Sequence, residues 1–261
     1  MVLRKRQNVL SMVDILYIVG KGFSEWNNNE LRYSLRSIAK YGKNVGRIFI
    51  CGYIPGFVNR ETVNCLHLRD EGTNKHYNIM RAIEYAVANS DIGPRFLLSS
   101  DDHYYVQPTD FDKYPVYWRG KELPVQQEGN RWYDITLHST REILDAFALP
   151  AFFYAWHGNT YFNRTLFESR RFELIRRLAQ TMPEACEPSC LMLNYWRVVS
   201  PDTMPEHEKI KDGKVNTANT IEEIEQMAEC KHVLSTTDAV GPAMKLWLQQ
   251  KFPKKSKYEI Q

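Results

Sequence analysis

Arg95-Phe96-Leu97-Leu98-Ser99-Ser100-Asp101-Asp102-His103-Tyr104-Tyr105 is the stretch on which the reading of this chain turns. An apolar strand over 96–99 runs straight into two adjacent carboxylates, a histidine and two tyrosines. Packing gives no reason for two charges at the end of a buried strand, so the pattern predicts a site for a hard cation or a phosphate. Mg²⁺ and Mn²⁺ take oxygen ligands and keep open positions for phosphate oxygens, which suits paired carboxylates. The alternative is that Asp101 or Asp102 caps the next turn, where Asp is common. Two in succession, after an apolar strand and before His103, favour the cation.

The segments before this stretch fix its setting. Val13-Asp14-Ile15-Leu16-Tyr17-Ile18-Val19-Gly20 is short, apolar and β-branched, and reads as a buried strand ended by Gly20 and Gly22. After a loop, 30–41 places Leu31, Leu35, Ile38 and Ala39 on one helical face, with Asn28 or Asn29 as cap and Gly42 as stop. Val45-Gly46-Arg47-Ile48-Phe49-Ile50-Cys51 is the next strand and closes a β-α-β unit. A third strand over 63–68, a helix over 75–88 with Ile79, Ile83 and Val87 inward, and the strand 96–99 continue the alternation. The predicted fold class is α/β: a mixed, mostly parallel sheet with helices on both faces. Ligands of such sheets bind at the carboxyl ends of the strands, so Gly20 and Asp101-Asp102 are expected to share one crevice.

Beyond Tyr105 the order is less regular. Strands are expected over 116–119 and 131–137, and a helix over 139–147 capped by Ser139 or Thr140 with Glu142 in its first turn. A helix over 163–180 has Leu166, Phe167, Leu174 and Leu178 as candidate core residues. The segment 183–188 breaks it, and 190–199 resumes an apolar course through Tyr195 and Trp196. The polar 209–220 reads as a mobile loop with Asp212-Gly213 as a turn. A last helix over 239–252 precedes a basic tail. The organisation is one domain with two halves, a regular α/β half over 1–110 and a less regular half over 111–261.

Composition is that of an ordinary globular protein: 261 residues, 43% hydrophobic and 25% charged, enough to bury a substantial core. No apolar run is long enough to span a bilayer and 1–12 has no signal-peptide pattern, so no transmembrane segment and a cytoplasmic location are expected. The net charge of +3 is concentrated at the ends, since residues 7–250 hold 27 basic and 30 acidic side chains. A solvated basic terminus accounts for it better than a broad anionic-partner face. The five cysteines are odd in number and scattered, which argues against a disulfide framework. Cys186-x-x-x-Cys190 has no second pair nearby to complete a zinc site, and buried thiols are the simpler reading.

A family resemblance rests on three blocks. Asp14-Ile15-Leu16-Tyr17, then Asn29-Glu30-Leu31-Arg32-Tyr33-Ser34-Leu35-Arg36-Ser37-Ile38, then Phe96-Leu97-Leu98-Ser99-Ser100-Asp101-Asp102-His103 resemble the first conserved blocks of the Stealth-type sugar transferases. That family contains capsular polysaccharide phosphotransferases, and the pattern is shared by compact phage and bacterial glycosyltransferase-like proteins. Leu234-Ser235-Thr236-Thr237-Asp238 and the segment 252–259 look like the close of the compact members. The match covers the first 105 residues well and the remainder in patches. This chain has Ser100 where Asn is usual and His103 where an apolar residue is usual.

The resemblance implies a GT-A-type, Rossmann-like nucleotide-diphospho-sugar fold in which Asp101-Asp102 take the place of the metal-binding D-x-D motif. Mn²⁺ or Mg²⁺ and a nucleotide-sugar donor, in the first instance a UDP-sugar, would be the cofactors. His103 and His157 are then candidate further metal ligands. On the donor side, Val19 and Gly20 would face the base and ribose, and Arg32 or Arg36, four apart on one helical face, would reach a diphosphate. Solvated helix charges are the alternative for both arginines. Asn74-Lys75-His76-Tyr77-Asn78 opens a helix whose free N-terminus suits a phosphate, with Lys75 the first choice and Asn78 beside it. On the acceptor side, Tyr133-Asp134-Ile135-Thr136-Leu137-His138 resembles a Y-D-x-x-x-H segment of the compact relatives. The resemblance makes 1–110 the nucleotide-sugar-binding half and 111–261 the acceptor-binding half, with Asp134 the expected base of an inverting transfer, or the group that holds the acceptor or stabilises charge in a retaining one, and His138 a candidate catalytic residue or a structural histidine. Tyr104 and Trp156 are candidate acceptor-stacking rings, with core packing the alternative for Trp156.

Three functions follow as expectations. The first is a metal-dependent hexosyl- or pentosyltransferase acting on a hydroxyl, either of a surface glycan or of a hydroxymethylated DNA base. The basic ends and the rings of Tyr104, Tyr105 and Trp156 fit the nucleic-acid acceptor without requiring it; a phage-borne enzyme of that kind would work in the host cytoplasm. The second is the Stealth reaction proper, transfer of a sugar phosphate. The third is a nucleotide-sugar-binding module without catalysis.

Overall fold

The computed structural model describes residues 12–260 apart from 21–24, 73, 128, 130, 156–157, 183, 210–211 and 237–238. The first half runs β1 (Val13–Val19), α1 (Asn29–Tyr41), β2 (Gly42–Lys43), β3 (Val45–Gly52), β4 (Val63–His67), α2 (Lys75–Asn89), β5 (Arg95–Ser99) and β6 (His103–Tyr105). There follow β7 (Thr109–Asp110), β8 (Val116–Trp118), α3 (Trp132–Ala146), β9 (Thr160–Asn163), α4 (Arg164–Phe167), α5 (Arg170–Gln180) and α6 (Pro188–Val199). The chain ends with β10 (His207–Lys209), β11 (Asp212–Val215), α7 (Ile221–Cys230), β12 (Val233–Thr236) and α8 (Pro242–Lys251). No helix among the described residues is long and apolar enough to cross a membrane.

The central sheet has the order β4-β3-β1-β5-β9. Its first four strands are parallel and β9 is antiparallel to β5. The step from β1 to β3 and the return from β4 to β5 run in opposite directions along the sheet, so right-handed crossovers put α1 and α2 on opposite faces. Asp14 ties the lower edge: its carboxylate accepts from the backbone N–H of Arg47 at 2.8 Å and of Gly93 at 2.9 Å, and from the Arg47 guanidinium at 2.8 Å. A Cβ at Gly46 would stand 2.5 Å from the Asp14 carboxylate, so a glycine is required there.

Helix α1 is buried on nearly every side because it lies between two sheets. Leu31, Leu35 and Ile38 pack on the central sheet, while Ser34 and Ser37 face β6. Ala39, expected inward, is exposed. A smaller sheet, β11-β12-β6, covers α1 from outside and carries a second core of Tyr104, Leu234, Met244 and Trp247.

Four expectations from the sequence change. The segment 131–137 is helix, not strand: α3 starts at Trp132 and buries Thr136, Leu137, Thr140, Ile143 and Leu144 at helical spacing. The expected helix 163–180 is β9, α4 and α5, interrupted where the Ser169 side chain caps α5. Leu174 and Leu178 are 55% and 42% exposed, and Phe172, Ile175 and Ala179 take the inward positions. The polar 209–220 contains β11, which pairs in parallel with β12 and buries Val215. Finally, the basic tail is docked: Tyr258 and Glu259 are buried, and Ile260 N–H reaches Phe57 O at 2.9 Å while the tail lysines stay exposed. All five cysteines are free thiols, with Cys186 and Cys190 buried.

Glu259 explains both the docking and one of the predicted donor arginines. Arg36 grips it through two bonds of 2.8 Å and gives a third N–H to Phe252 O at 2.9 Å. Burial alone would raise the Glu259 carboxyl, but Arg36 and the Ser256 N–H hold it below the ordinary range. Its contribution to stability is therefore complete above the unfolded carboxylate pKa and lost as pH falls through the folded one. Glu259→Ala leaves a buried guanidinium uncompensated and is expected to cost about 3–5 kcal/mol at pH 7. A urea midpoint within error of the parent would contradict it.

Candidate active site

The carboxylate pair sits in the turn between β5 and β6, at the carboxyl edge of the central sheet. Ser34 fixes that turn from below: its hydroxyl accepts from Tyr17 OH at 2.8 Å and donates to His103 O at 2.6 Å. One helical turn on, Ser37 accepts from Tyr105 N–H at 3.0 Å. Helix α1 and β6 therefore run side by side, and extending the same face back by four residues brings Glu30 over Asp101 and Asp102.

The charges confirm this placement. Burial raises the Asp101 carboxyl to about 7, with Asp102 and Glu30 adding to the rise and Lys75 opposing it. Asp102 keeps a quarter of its side chain exposed and accepts a long bond from Thr236 Oγ1 at 3.4 Å. His103 lies inside: Ser100 N–H points at its Nδ1 at 3.4 Å and its Nε2 is 3.9 Å from Asp102 Oδ1. That ring braces the turn from within, a position different from the open cation ligand expected of it. No group of three or more His, Cys, Asp and Glu side chains able to hold a metal occurs among the described residues.

The donor-side candidates separate. Lys75 is exposed at the start of α2 and acts electrostatically on Asp101, so it shares the crevice. Val19 is buried at the end of β1 with its carbonyl taken by Tyr53 N–H at 2.9 Å. Gly20 is exposed at the same strand end, and a Cβ there would lie 3.5 Å from Asp70. Asn78 is turned to the loop before α2, accepting from Glu71 N–H at 2.8 Å. Arg36 is committed to Glu259, and Arg32 stacks over Phe57 at 4.5 Å with its Nε 3.7 Å from Glu259. Both arginines thus serve the docked tail, not a diphosphate.

The acceptor-side candidates do not converge on the carboxylates either. Asp134 is engaged by Arg131 at 3.2 Å and His138 Nε2 lies 3.7 Å from Glu142, both along α3. What α3 brings toward the crevice is Trp132 and Tyr133, whose rings meet His76 at 5.5 and 6.2 Å. Tyr104 is fully buried in the second core and offers no stacking face, because β6 points it beneath α1 and β12. Trp156 and His157 lie outside the described residues.

Several residues near the site were not anticipated. Glu30 joins the acids only because α1 runs beside β6, which places it on the Ser34 and Ser37 face. Thr236 lies opposite Asp102 only because β12 pairs with β6. Asn159, beside the β9 start, is 1% exposed with neither amide atom bonded. Glu184 accepts from the Asn74 amide at 2.9 Å, next to Lys75.

No family model and no curated protein matches the chain. Among solved structures, an active-site mutant of LgtC aligns over 94% of this chain and 98% of its own, with a TM-score of 0.51 at 10% identity. The glycosyltransferase GlyE of Streptococcus pneumoniae TIGR4 aligns over 92% of this chain with a TM-score of 0.43 at 10% identity. The chain spans 60% of the GlyE structure. The architecture is thus the GT-A-like α/β fold, with a mostly parallel sheet flanked by helices.

His76 offers a check on how α2 and α3 pack at the crevice. Burial, then Lys75, lowers its imidazole to about 4. The folded state thus favours the neutral ring, so its stability is intact above the unfolded pKa of 6.5 and falls as pH drops toward 4. Between those limits the parent should lose about 3 kcal/mol more than His76→Phe. Urea unfolding of both at pH 7 and pH 4 measures it, and parallel curves would show the ring to be solvated.

Proposed function

We propose that the protein is a metal-dependent glycosyltransferase that moves a sugar from a nucleotide-diphospho-sugar to a hydroxyl acceptor. The observation that carries this reading is the partly desolvated Asp101-Asp102 pair at the carboxyl edge of a GT-A-like sheet. A carboxylate pair in which burial, Asp102 and Glu30 push Asp101 up to about 7 is short of positive charge. The buried Tyr104 hydroxyl, beside Thr236, lies under the influence of the same acids. Such an oxygen-rich, charge-deficient set fits Mg²⁺ or Mn²⁺, which Asp101 and Asp102 would hold. When bound, the ion supplies positive charge to a diphosphate leaving group.

The chain's own residues have separate tasks. Lys75, at the N-terminus of α2, places a cation near the carboxylates, where phosphate oxygens would lie. Gly20 leaves the end of β1 open for the nucleoside. Ser34, through His103 O, keeps the β5–β6 turn from shifting when charge is added. The segment 111–261 then carries the acceptor. Asp134 stays a proposal only as an acceptor-holding group, since Arg131 already occupies its carboxylate.

Sugar-phosphate transfer is the second reading, favoured by the Asn29-to-Ile38 block. Incubating the protein with a panel of UDP-sugars and Mn²⁺ separates the two: nucleoside diphosphate indicates sugar transfer and nucleoside monophosphate indicates phosphotransfer. Asp102→Asn should lower Mn²⁺-dependent donor hydrolysis by about a hundredfold or more. Undiminished hydrolysis in that variant would remove the pair from the chemistry. A thermal-shift screen should show a donor raising Tm only with Mn²⁺ present, whereas a shift indifferent to the ion would argue for a metal-free site.

A further inference from the structure

A cavity of about 420 Å³ opens at the end of α6, lined by Arg197, Pro201, Met204, Pro205, Glu206 and His207. Arg197 Nη1 stands 3.3 and 3.4 Å from the two ring nitrogens of His207, and Tyr154 OH is 3.2 Å from His207 Nε2. The guanidinium lies over the Phe152 ring at 4.5 Å, which fixes its plane. Among the described residues no carboxylate pairs with Arg197, whose half-buried guanidinium also shares a hydrogen bond with the Tyr154 side chain and lines the cavity. Glu206 is the acid of this wall; it is exposed and forms no ion pair with Arg197.

We propose that this groove binds an anionic group, a carboxylate or a phosphate, carried on a sugar ring of the acceptor. A planar guanidinium without a carboxylate partner among the described residues and an imidazole line one side, braced from behind by the buried Tyr154 phenol, and a guanidinium so held is suited to such oxygens. Pro201, Met204 and Pro205 supply an apolar wall for the C–H face of a ring. The volume lies in the ~300–1,000 Å³ range of small-molecule sites. An arginine in the last turn of a helix also complements the helix dipole, but that role needs neither His207 nor the cavity.

The groove communicates with the crevice through the chain itself. Tyr154 is six residues before Thr160, which pairs with Leu98 of β5. Those residues span no more than about 20 Å even fully extended. An acceptor several sugar units long can therefore rest its acidic unit on Arg197 and reach the edge of the central sheet. The assignment of the ligand as acceptor rests on the proposed sugar transfer; the anion site itself does not.

The test is titration calorimetry of the full chain with a hexuronate, a hexose phosphate and the uncharged hexose, at equal ionic strength. At least one charged sugar should bind in the millimolar range while the neutral hexose does not, and the stronger of the two identifies carboxylate or phosphate. Arg197→Gln should weaken that binding about ten- to a hundredfold. His207→Gln is the second variant, should loss of the Phe152 contact unfold the first. Equal response to charged and neutral sugars, or unchanged binding in the folded variants, overturns the inference. Donor hydrolysis by the parent protein reports separately on the proposed function: hydrolysis without anion binding defeats this site alone, and anion binding without hydrolysis defeats only the proposed transfer.

Discussion

Everything at the candidate active site hangs on one serine. Ser34 receives the Tyr17 hydroxyl from β1 and gives its own proton to His103 O in β6. That two-bond relay joins the central sheet, the buried helix and the covering sheet at the point where β5 turns outward. A hydroxyl so placed costs little when satisfied; removing it would take the buried His103 carbonyl's donor, at about 1–3 kcal/mol, and leave the Tyr17 phenol with Ser99. Ser37 repeats the attachment at Tyr105, so α1 cannot slide along β6 without breaking both. The two carboxylates are held in place by this attachment more than by any contact of their own.

The α1 motif makes sense in those terms. A helix on an open sheet needs one apolar stripe, yet Asn29 to Ile38 mixes leucines, serines, a tyrosine and two arginines. Each type answers a different neighbour: the leucines the central sheet, the serines β6, Tyr33 the second core and Arg36 the buried Glu259. Asp14 is similar. As a motif residue it invites a catalytic reading, but its bonds to Arg47 and Gly93 show a carboxylate that fastens three strand ends together.

How far the sequence could be read follows from where each signal lies. The β-α-β alternation and the charged end of β5 were legible, because burial on both faces of a parallel strand leaves an unbroken apolar run that the carboxylates interrupt. Local patterns failed where partners are distant. Arg36 looked like a solvent-facing ligand for a diphosphate since its acid lies 223 residues away. The start of α3 read as strand because Trp132, Tyr133 and Ile135 are β-formers, and only its packed face shows the helical period. Tyr104 looked available for stacking until β12, from the far end of the chain, closed over it. Glu30 needed the knowledge that α1 and β6 run side by side.

The electrostatics at the end of β5 are what the proposed cation would answer. Asp101, Asp102 and Glu30 gather three acids against Lys75, and the cost appears as a carboxyl that keeps its proton to about pH 7. A divalent ion answers that deficit more fully than a second lysine would, because it also offers open positions to phosphate oxygens. Anomalous diffraction from crystals soaked in Mn²⁺ and UDP tests the point most directly. The account predicts a manganese peak bonded to Asp101 and Asp102 with diphosphate oxygens completing its shell; manganese absent from these carboxylates while UDP occupies the crevice would contradict it.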